Sequence, residues 1–211
     1  GFERRRRLAI SLASHRVGTI SLEIPLYGAR RVGRDGQQAI RSVGDFALMG
    51  YGAVVEARAL LAMVPTENRG VAGFSMGGNL AALVSATVPF PLATAAFAAS
   101  YSPGPVFVEG MIKRAVVWRA FDDFEARHRV GEALGRTSVL DFPPLPHHRH
   151  AVLLLGSRDG FVPPAATEKL AAHWEGSELV RIHGAGHGTL LWRHSDLFVD
   201  LIARSFTRLG R

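Results

Sequence analysis

A serine between glycines has the residue types and spacing of a nucleophile on a tight turn. The pattern G-x-S-x-G is met by the run Gly73-Phe74-Ser75-Met76-Gly77-Gly78. A short apolar run at residues 70–72 predicts a strand before it, and small residues from 76 to about 86 predict a closely packed helix after it. Such a turn exposes the serine hydroxyl at its tip. We therefore expect a positive φ at Ser75, and we expect Gly73 and Gly77 to let strand and helix approach closely.

An aspartate and a histidine follow the serine in the order that a charge relay on this kind of turn requires. Asp159 lies in the loop after the apolar run 151–155, and His187 lies in a glycine-rich loop after residues 178–182. Because each of the three side chains follows a predicted strand, we expect them to meet at one edge of a parallel sheet. Asp141, just before Pro143, is the alternative acid, ranked lower because it lies outside the expected strand end.

These residue types, in this order, can carry out acyl transfer. Ser75 would attack an ester or related acyl carbon, His187 would accept and return the proton, and Asp159 would orient the histidine. The backbone N–H of Met76, at the start of the helix, would donate to the oxyanion. Taken singly, Asp159 is typical of an Asp-Gly turn and His187 of a helix cap. Their joint occurrence after Ser75 favours a catalytic site.

Length and composition bound the fold class. The chain has 211 residues, 47% of them hydrophobic, which is enough for one domain with a sizeable core. It has no cysteine, so disulfides and thiolate chemistry are excluded, and a reducing, intracellular compartment is slightly favoured. The net charge is +7, with arginine far outnumbering lysine. This charge could attract anionic surfaces or substrates, or it could reflect only a solvated, arginine-rich surface. No nucleic-acid module is recognised.

Two further stretches bear on membranes and metals. Residues 71–108 carry no charge, but Pro89-Phe90-Pro91 interrupts them, so a buried helix and strand are expected and no transmembrane segment is recognised. The run His147-His148-Arg149-His150 resembles a metal-binding tract. No acidic residue lies at ligand spacing from it, so we expect no metal and no other cofactor.

The remaining pattern predicts a helix over 2–15 that opens on the run Arg4-Arg5-Arg6-Arg7, a strand over 19–24 and a long helix over 42–63. A strand over 92–99 and a final helix over 187–209 follow the serine turn. Residues 102–148 break the alternation of strand and helix. They are expected to form an insertion, either a cap over the site or a peripheral helical pair that covers the sheet edge.

The ordered serine, aspartate and histidine, each after a strand, resemble the α/β-hydrolase superfamily over essentially the whole chain. The arginine run, the turn Pro25-Leu26-Tyr27-Gly28, the long glycine-containing helix, Trp118-Arg119 and Gly186-His187 resemble the α/β-hydrolase-domain-containing protein 18 family. The resemblance implies a mostly parallel sheet with helices on both faces and a small helical cap. It also implies a serine hydrolase acting on a small-molecule or lipid-like acyl substrate. A catalytically weak or inactive binding scaffold on the same fold is the alternative.

Members of that family carry a Gly-Thr-Gly-Asp-like loop, at the end of a central strand, just before the arginine run. The resemblance therefore implies that 1–211 is a single hydrolase domain without its N-terminal strands and without one of two oxyanion donors. On this interpretation the sheet would have a gap between the strand at 19–24 and the serine-turn strand. The chain alone should then be poorly soluble, oligomeric or partly unfolded, because unpaired strand edges aggregate. An upstream extension should improve its folding and restore an oxyanion donor.

Overall fold

The computed structural model describes residues 2–31, 40–121 and 125–210. The chain forms two compact units, Gly1–Pro65 and Thr66–Arg211. Each unit has its own pattern of secondary structure, helical in the first and a parallel sheet with helices in the second.

The described residues of the first unit form two α-helices, and the sequence predicts both of them. Helix α1 spans Phe2–Ser14 and helix α2 spans Val43–Met63. The Ser42 hydroxyl caps α2 by accepting a hydrogen bond from the backbone N–H of Asp45 at 3.0 Å. A short 3-10 helix, Gly28–Arg30, lies between them. The arginine run of α1 forms surface ion pairs, from Arg5 to Glu23 and from Arg6 and Arg7 to Glu3; the side chain of Arg4 lies outside the described residues.

The predicted strand over residues 19–24 is wrong. This segment joins no sheet, and the described strands all belong to the second unit. Ile20, one of its apolar residues, is 64% exposed. An extended segment becomes a strand only where a neighbouring strand accepts and donates its backbone hydrogen bonds. Local β-propensity alone does not supply that neighbour.

Helix α2 is the one helix in the described ranges that is long and apolar enough to cross a membrane, which the sequence interpretation above does not anticipate. Length and composition are the whole support for such a span. The uncharged stretch 71–108 folds instead as strand, helix, strand and helix. The expected buried helix and strand are therefore confirmed there.

The second unit contains a parallel sheet of four strands in the order β1-β2-β3-β4. The strands span Gly70–Phe74, Ala93–Phe97, Val152–Gly156 and Glu178–Ile182. Strands β2 and β3 are buried along their whole length, as expected when helices cover a parallel sheet. The register places Phe74 opposite Phe97 and Gly156 opposite Ile182. The carboxyl ends of all four strands therefore lie along one edge of the sheet.

Within the described residues, six α-helices accompany the sheet: Met76–Thr87 (α3), Pro103–Val108 (α4), Ala126–Gly135 (α5), Pro164–His173 (α6), His187–Arg193 (α7) and Ser195–Leu209 (α8). The predicted final helix over 187–209 is thus two helices. His194 separates them, with φ −121° and ψ 18°, outside helical geometry. Asp196 in the first turn of α8 favours a new helix start there, because an anion stabilises the positive end of the helix dipole.

Small residues bring α3 close to the sheet. One buried cluster joins α3, β2, β3 and α6, and its members are Ala82, Ala86, Ala96, Ala99, Val139, Ala151, Leu153, Leu170 and Trp174. Alanine on both α3 and β2 lets helix and strand pack with little side-chain bulk between them. The larger leucine and tryptophan side chains then fill the space toward α6.

The insertion at 102–148 is helical in its described parts. Helices α4 and α5 pack together, and a Cβ added to Gly104 would lie 3.3 Å from the carbonyl oxygen of Gly131. Short 3-10 helices complete the segment, at Met111–Arg114, Trp118–Phe121, Val139–Asp141 and Pro146–His150. The Trp118 indole donates to the carbonyl of Lys113 at 2.7 Å, which fixes the ring on the segment itself.

The histidine run of the sequence is part of the core. His147 and His148 are buried just before β3. His148 stacks on Trp174 with ring centroids 4.3 Å apart, and its Nδ1 accepts the backbone N–H of Leu145 at 2.9 Å. Burial, with the neighbouring His147 second, lowers the pKa of His148 to about 4 from its ordinary value of 6.5. Burial also lowers the pKa of His147.

We expect the free energy of unfolding to fall as pH drops from about 6.5 to about 4. In that window the unfolded chain protonates His148 while the folded chain keeps it neutral, so protons favour unfolding, by up to about 3 kcal/mol from this group. Urea unfolding, followed by tryptophan fluorescence between pH 8 and pH 4.5, measures the free energy of unfolding at each pH. His148→Asn should flatten the pH dependence, and the exposed His15→Asn should leave it unchanged. An equal slope in wild type and His148→Asn would contradict the assignment.

Candidate active site

The serine of the G-x-S-x-G run sits on a sharp turn between β1 and α3. Ser75 has φ 59° and ψ −120°, a positive φ that residues other than glycine rarely adopt. Its backbone N–H donates to the carbonyl of Phe97 at 2.8 Å, and its carbonyl accepts from Asn79 N at 3.0 Å. These bonds hold the strained conformation that the sequence predicts for a nucleophile turn.

Glycines make this turn possible, although not at both predicted positions. A Cβ on Gly73 would lie 2.1 Å from the carbonyl oxygen of Gly77, so no larger residue fits without a backbone shift. A Cβ on Gly77 would meet nothing within 4 Å, so the steric reason expected for Gly77 is wrong. Gly78 is the second constrained position, since its Cβ would lie 2.7 Å from the carbonyl oxygen of Phe97. Helix α3 therefore closely approaches both the end of β1, at Gly73, and the end of β2, at Phe97.

The carboxylate of Asp159 is buried and has defined partners on both oxygens. Its Oδ1 accepts the backbone N–H groups of Phe161 and Val162, each at 2.9 Å. Its Oδ2 lies 2.7 Å from Nδ1 of His187. The Asp159 side chain is 2% exposed, so these bonds are little screened by water. Because Oδ1 is held by the loop that follows Asp159, the orientation of the carboxylate is fixed, and Oδ2 faces the histidine.

Backbone hydrogen bonds brace the aspartate loop against the histidine loop. Arg158 N donates to the carbonyl of Ala185 at 2.9 Å, and Gly184 N donates to the Ser157 hydroxyl at 2.9 Å. A Cβ on Gly156 would lie 2.5 Å from the same Ala185 carbonyl, so the loops meet backbone to backbone. This contact sets the separation of Asp159 and His187 across 28 residues of chain.

Two aromatic rings contact the His187 imidazole. The centroid of Phe74 lies 4.8 Å from that of His187, and the centroid of Phe161 lies 5.2 Å from it. Phe74 immediately precedes Ser75, so the histidine lies beside the serine turn. In the ranges that the structure describes, no hydrogen bond joins the Ser75 hydroxyl to His187. Catalytic hydrogen bonds of unliganded sites are often long and form only with substrate.

The alternative acid lies elsewhere. Asp141 ends the 3-10 helix Val139–Asp141 and is exposed, whereas Nδ1 of His187 bonds to Asp159. Met76 is the first residue of α3, and the first N–H groups of a helix lack intrahelical acceptors. Its N–H is thus available next to the serine. Among the described residues, no group of three or more His, Asp or Glu side chains is arranged to hold a metal ion.

The sequence interpretation missed how the insertion contacts the acid loop. Met111 N donates to the carbonyl of Gly160 at 2.7 Å, and a Cβ on Gly110 would lie 2.2 Å from the carbonyl oxygen of Phe161. Gly160 and Phe161 directly follow Asp159, so the insertion packs on the loop that carries the acid. In the sequence this contact is marked only by Gly110, a single glycine in an irregular segment. A single glycine does not identify a partner about 50 residues away.

Comparison with known proteins agrees with this architecture. The family model described as "Alpha/beta hydrolase domain containing 18" matches residues 1–129. That range includes the serine turn and the first part of the insertion. It ends before β3 and β4, whose loops carry Asp159 and His187.

Solved structures share the fold at low sequence identity. The protein TT1662 from Thermus thermophilus has a TM-score of 0.59 and 22% identity, over 87% of this chain and 75% of that one. A meta-cleavage product hydrolase mutant from Pseudomonas fluorescens has a TM-score of 0.54 and 15% identity, over 95% and 84%. A puromycin-hydrolyzing peptidase from Mycobacterium tuberculosis has a TM-score of 0.52 and 18% identity, over 76% of this chain and 25% of that one. The predicted α/β-hydrolase fold class is confirmed.

Proposed function

Because this chain belongs to the alpha/beta hydrolase domain containing 18 family, we propose that it is a serine hydrolase that cleaves a carboxylic ester or related acyl bond. Family membership supports hydrolase-type activity in general. The proposal of a Ser75-His187-Asp159 triad rests on one observation above all. It is the 2.7 Å bond between the buried carboxylate of Asp159 and Nδ1 of His187, beside the serine turn.

The bond to Asp159 gives His187 the protonation pattern that a general base needs. With the Nδ1 proton donated to Oδ2 of the carboxylate, the other ring nitrogen, Nε2, keeps its lone pair. In the proposed mechanism Nε2 then accepts the hydroxyl proton of Ser75. Asp159 stabilises the imidazolium that results, and its two backbone N–H bonds keep the carboxylate in place meanwhile.

The reaction runs in two halves. In acylation, Ser75 Oγ bonds to the acyl carbon while its proton passes to His187 Nε2, and the negative charge on the carbonyl oxygen is stabilised by the N–H of Met76. The bond from the acyl carbon to the leaving oxygen then breaks, and His187 returns the proton to the alcohol. In deacylation, water repeats these steps, releasing the acid and restoring the Ser75 hydroxyl.

The same geometry supports an apolar ester as the substrate. The rings of Phe74 and Phe161 lie against the imidazole of His187, whose Nδ1 bonds to the Asp159 carboxylate. An acyl substrate with apolar groups would bury carbon surface on these rings. A carboxylic ester of small-molecule or lipid type fits this environment.

Labelling with a fluorophosphonate probe tests the proposal, because the probe forms a covalent bond only with an activated serine. We expect the full chain to be labelled, with the adduct on the peptide that contains Ser75. Ser75→Ala should abolish labelling, His187→Ala should reduce it by orders of magnitude, and heat-denatured protein should remain unlabelled. A folded protein, checked by circular dichroism, that resists the probe would instead support a binding scaffold without catalysis.

A further inference from the structure

Phe161 leaves an apolar ring open to solvent directly beside the proposed catalytic histidine. The side chain is 39% exposed, and its ring centroid lies 5.2 Å from that of His187, with the planes 31° apart. A single exposed phenylalanine is common on protein surfaces. This one differs because it contacts the group that would transfer the proton.

The position of Phe161 is held by its backbone on two sides. Its N–H donates to Oδ1 of Asp159 at 2.9 Å. Its carbonyl packs against Gly110 of the insertion, where a Cβ would lie only 2.2 Å away. The ring is therefore presented on a fixed backbone, as a binding wall requires, since little conformational entropy is then lost when a ligand binds.

Met111 of the insertion lies against Gly160, the residue before Phe161. Its side chain is 48% exposed, and its Sδ lies 2.8 Å from the position that a Cβ on Gly160 would occupy. Its backbone N–H donates to the Gly160 carbonyl. Met111 thus covers the residue next to Phe161, and its flexible thioether can adapt to ligands of differing shape.

We propose that Phe161 and Met111 form the wall that receives an apolar alcohol portion of the ester, and this rests on the proposed function above. The reason is the order of events at His187. His187 returns its proton to the leaving oxygen, so the alcohol carbons bonded to that oxygen lie nearest the imidazole. The acyl chain is bonded instead to the carbon attached to Ser75. A ring in contact with the imidazole is thus placed beside the alcohol.

Two ester series separate the alcohol from the acyl chain. Acetates of ethanol, butanol and hexanol vary the alcohol, and ethyl esters of acetic, butyric and hexanoic acids vary the acyl chain. In wild type we expect kcat/KM for the acetates to rise about two- to fourfold per methylene, from partial to full burial of each group. Phe161→Ala should flatten the acetate series and preserve the ratios of the ethyl-ester series. Phe161→Leu should retain most of the slope.

Phe142 provides a matched control, because it is also a phenylalanine and is 36% exposed, in a loop after the 3-10 helix Val139–Asp141. Phe142→Ala should leave both series as in wild type. Deacylation gives a second readout, since the alcohol has left by then. The hydrolysis rate of the acetyl-enzyme, formed from 4-nitrophenyl acetate, should fall less in Phe161→Ala than kcat/KM for hexyl acetate does.

The proposal is overturned if kcat/KM rises with alcohol length equally in wild type and Phe161→Ala. It is also overturned if Phe161→Ala lowers kcat/KM only in the ethyl-ester series. A deacylation rate lowered as much as kcat/KM for hexyl acetate in Phe161→Ala also overturns it, because Phe161 would then position His187. These failures are distinct from failure of the proposed function. In that case neither turnover nor fluorophosphonate labelling of wild type would occur.

Discussion

Replacing Ser75 with alanine should lower ester turnover by about six orders of magnitude. The magnitude follows from removal of the nucleophile in a serine triad, where the remaining groups act only through binding and electrostatic stabilisation. The fold should persist, because the turn is held by backbone bonds from Ser75 to Phe97 and Asn79 that alanine keeps. Hydrolysis of 4-nitrophenyl acetate, with the initial burst titrated in the same assay, measures the loss.

Ser177→Ala is the matched control for this experiment. Ser177 precedes β4, at the end of the sheet opposite to the serine turn, so its loss should leave turnover near wild type. Circular dichroism of both variants should match that of wild type. A Ser75→Ala protein that keeps even a hundredth of the activity would exclude Ser75 as the nucleophile.

Asp159→Asn should lower kcat by about four orders of magnitude while leaving the protein folded. An asparagine amide can donate to Nδ1, which favours the histidine tautomer that carries its proton on Nε2 and so cannot accept the serine proton. The amide oxygen can still accept the N–H groups of Phe161 and Val162, so the loop should keep its shape. Steady-state kinetics at pH 8, with thermal melting for stability, separate the catalytic effect from the structural one.

Asp141→Asn controls for the loss of a carboxylate and tests the alternative acid at once. Asp141 is exposed at the end of a 3-10 helix in the insertion, and its substitution should change kcat by less than about twofold. If the Asp159→Asn variant kept a kcat near that of wild type while the Asp141→Asn variant did not, the acid would have to be reassigned to Asp141.

The contact between insertion and acid loop gives the insertion a structural role independent of covering the site. Met111 and Gly110 hold Gly160 and Phe161, and Phe161 in turn holds the Asp159 carboxylate through its N–H. The acid is therefore positioned partly by a segment that precedes it by about 50 residues. Changes in the insertion can reach the proposed triad through this backbone contact.

The serine turn and the strands that precede Ser75, Asp159 and His187 could be predicted from the sequence because their causes are local. A positive φ at Ser75 follows from the residues around it, and the runs before Asp159 and His187 are apolar over a strand length. Parallel strands place such loops at one edge whatever the details of packing. For the same reason, helices 2–15 and 42–63 were predicted to within a residue or two of α1 and α2.

Other features depend on partners distant in the sequence. Residues 19–24 have strand propensity, but whether they pair is decided by a neighbouring strand, and none pairs with them in the described residues. Gly77 and Gly78 are equivalent as residue types. Only the position of the Phe97 carbonyl makes Gly78 the constrained one.

The sequence by itself determined the chemistry available to this protein, namely a serine on a strained turn with an aspartate and a histidine in triad order. The tertiary structure decided which acid bonds to His187 and at what distance. That choice depends on the braced loops at Ala185 and Arg158, and on the insertion packed behind Phe161. Residue types and backbone preferences act over a few residues, whereas these contacts arise from packing between residues 27 and 51 positions apart, Arg158 with Ala185 and Gly110 with Phe161. They exist only once the sheet has formed.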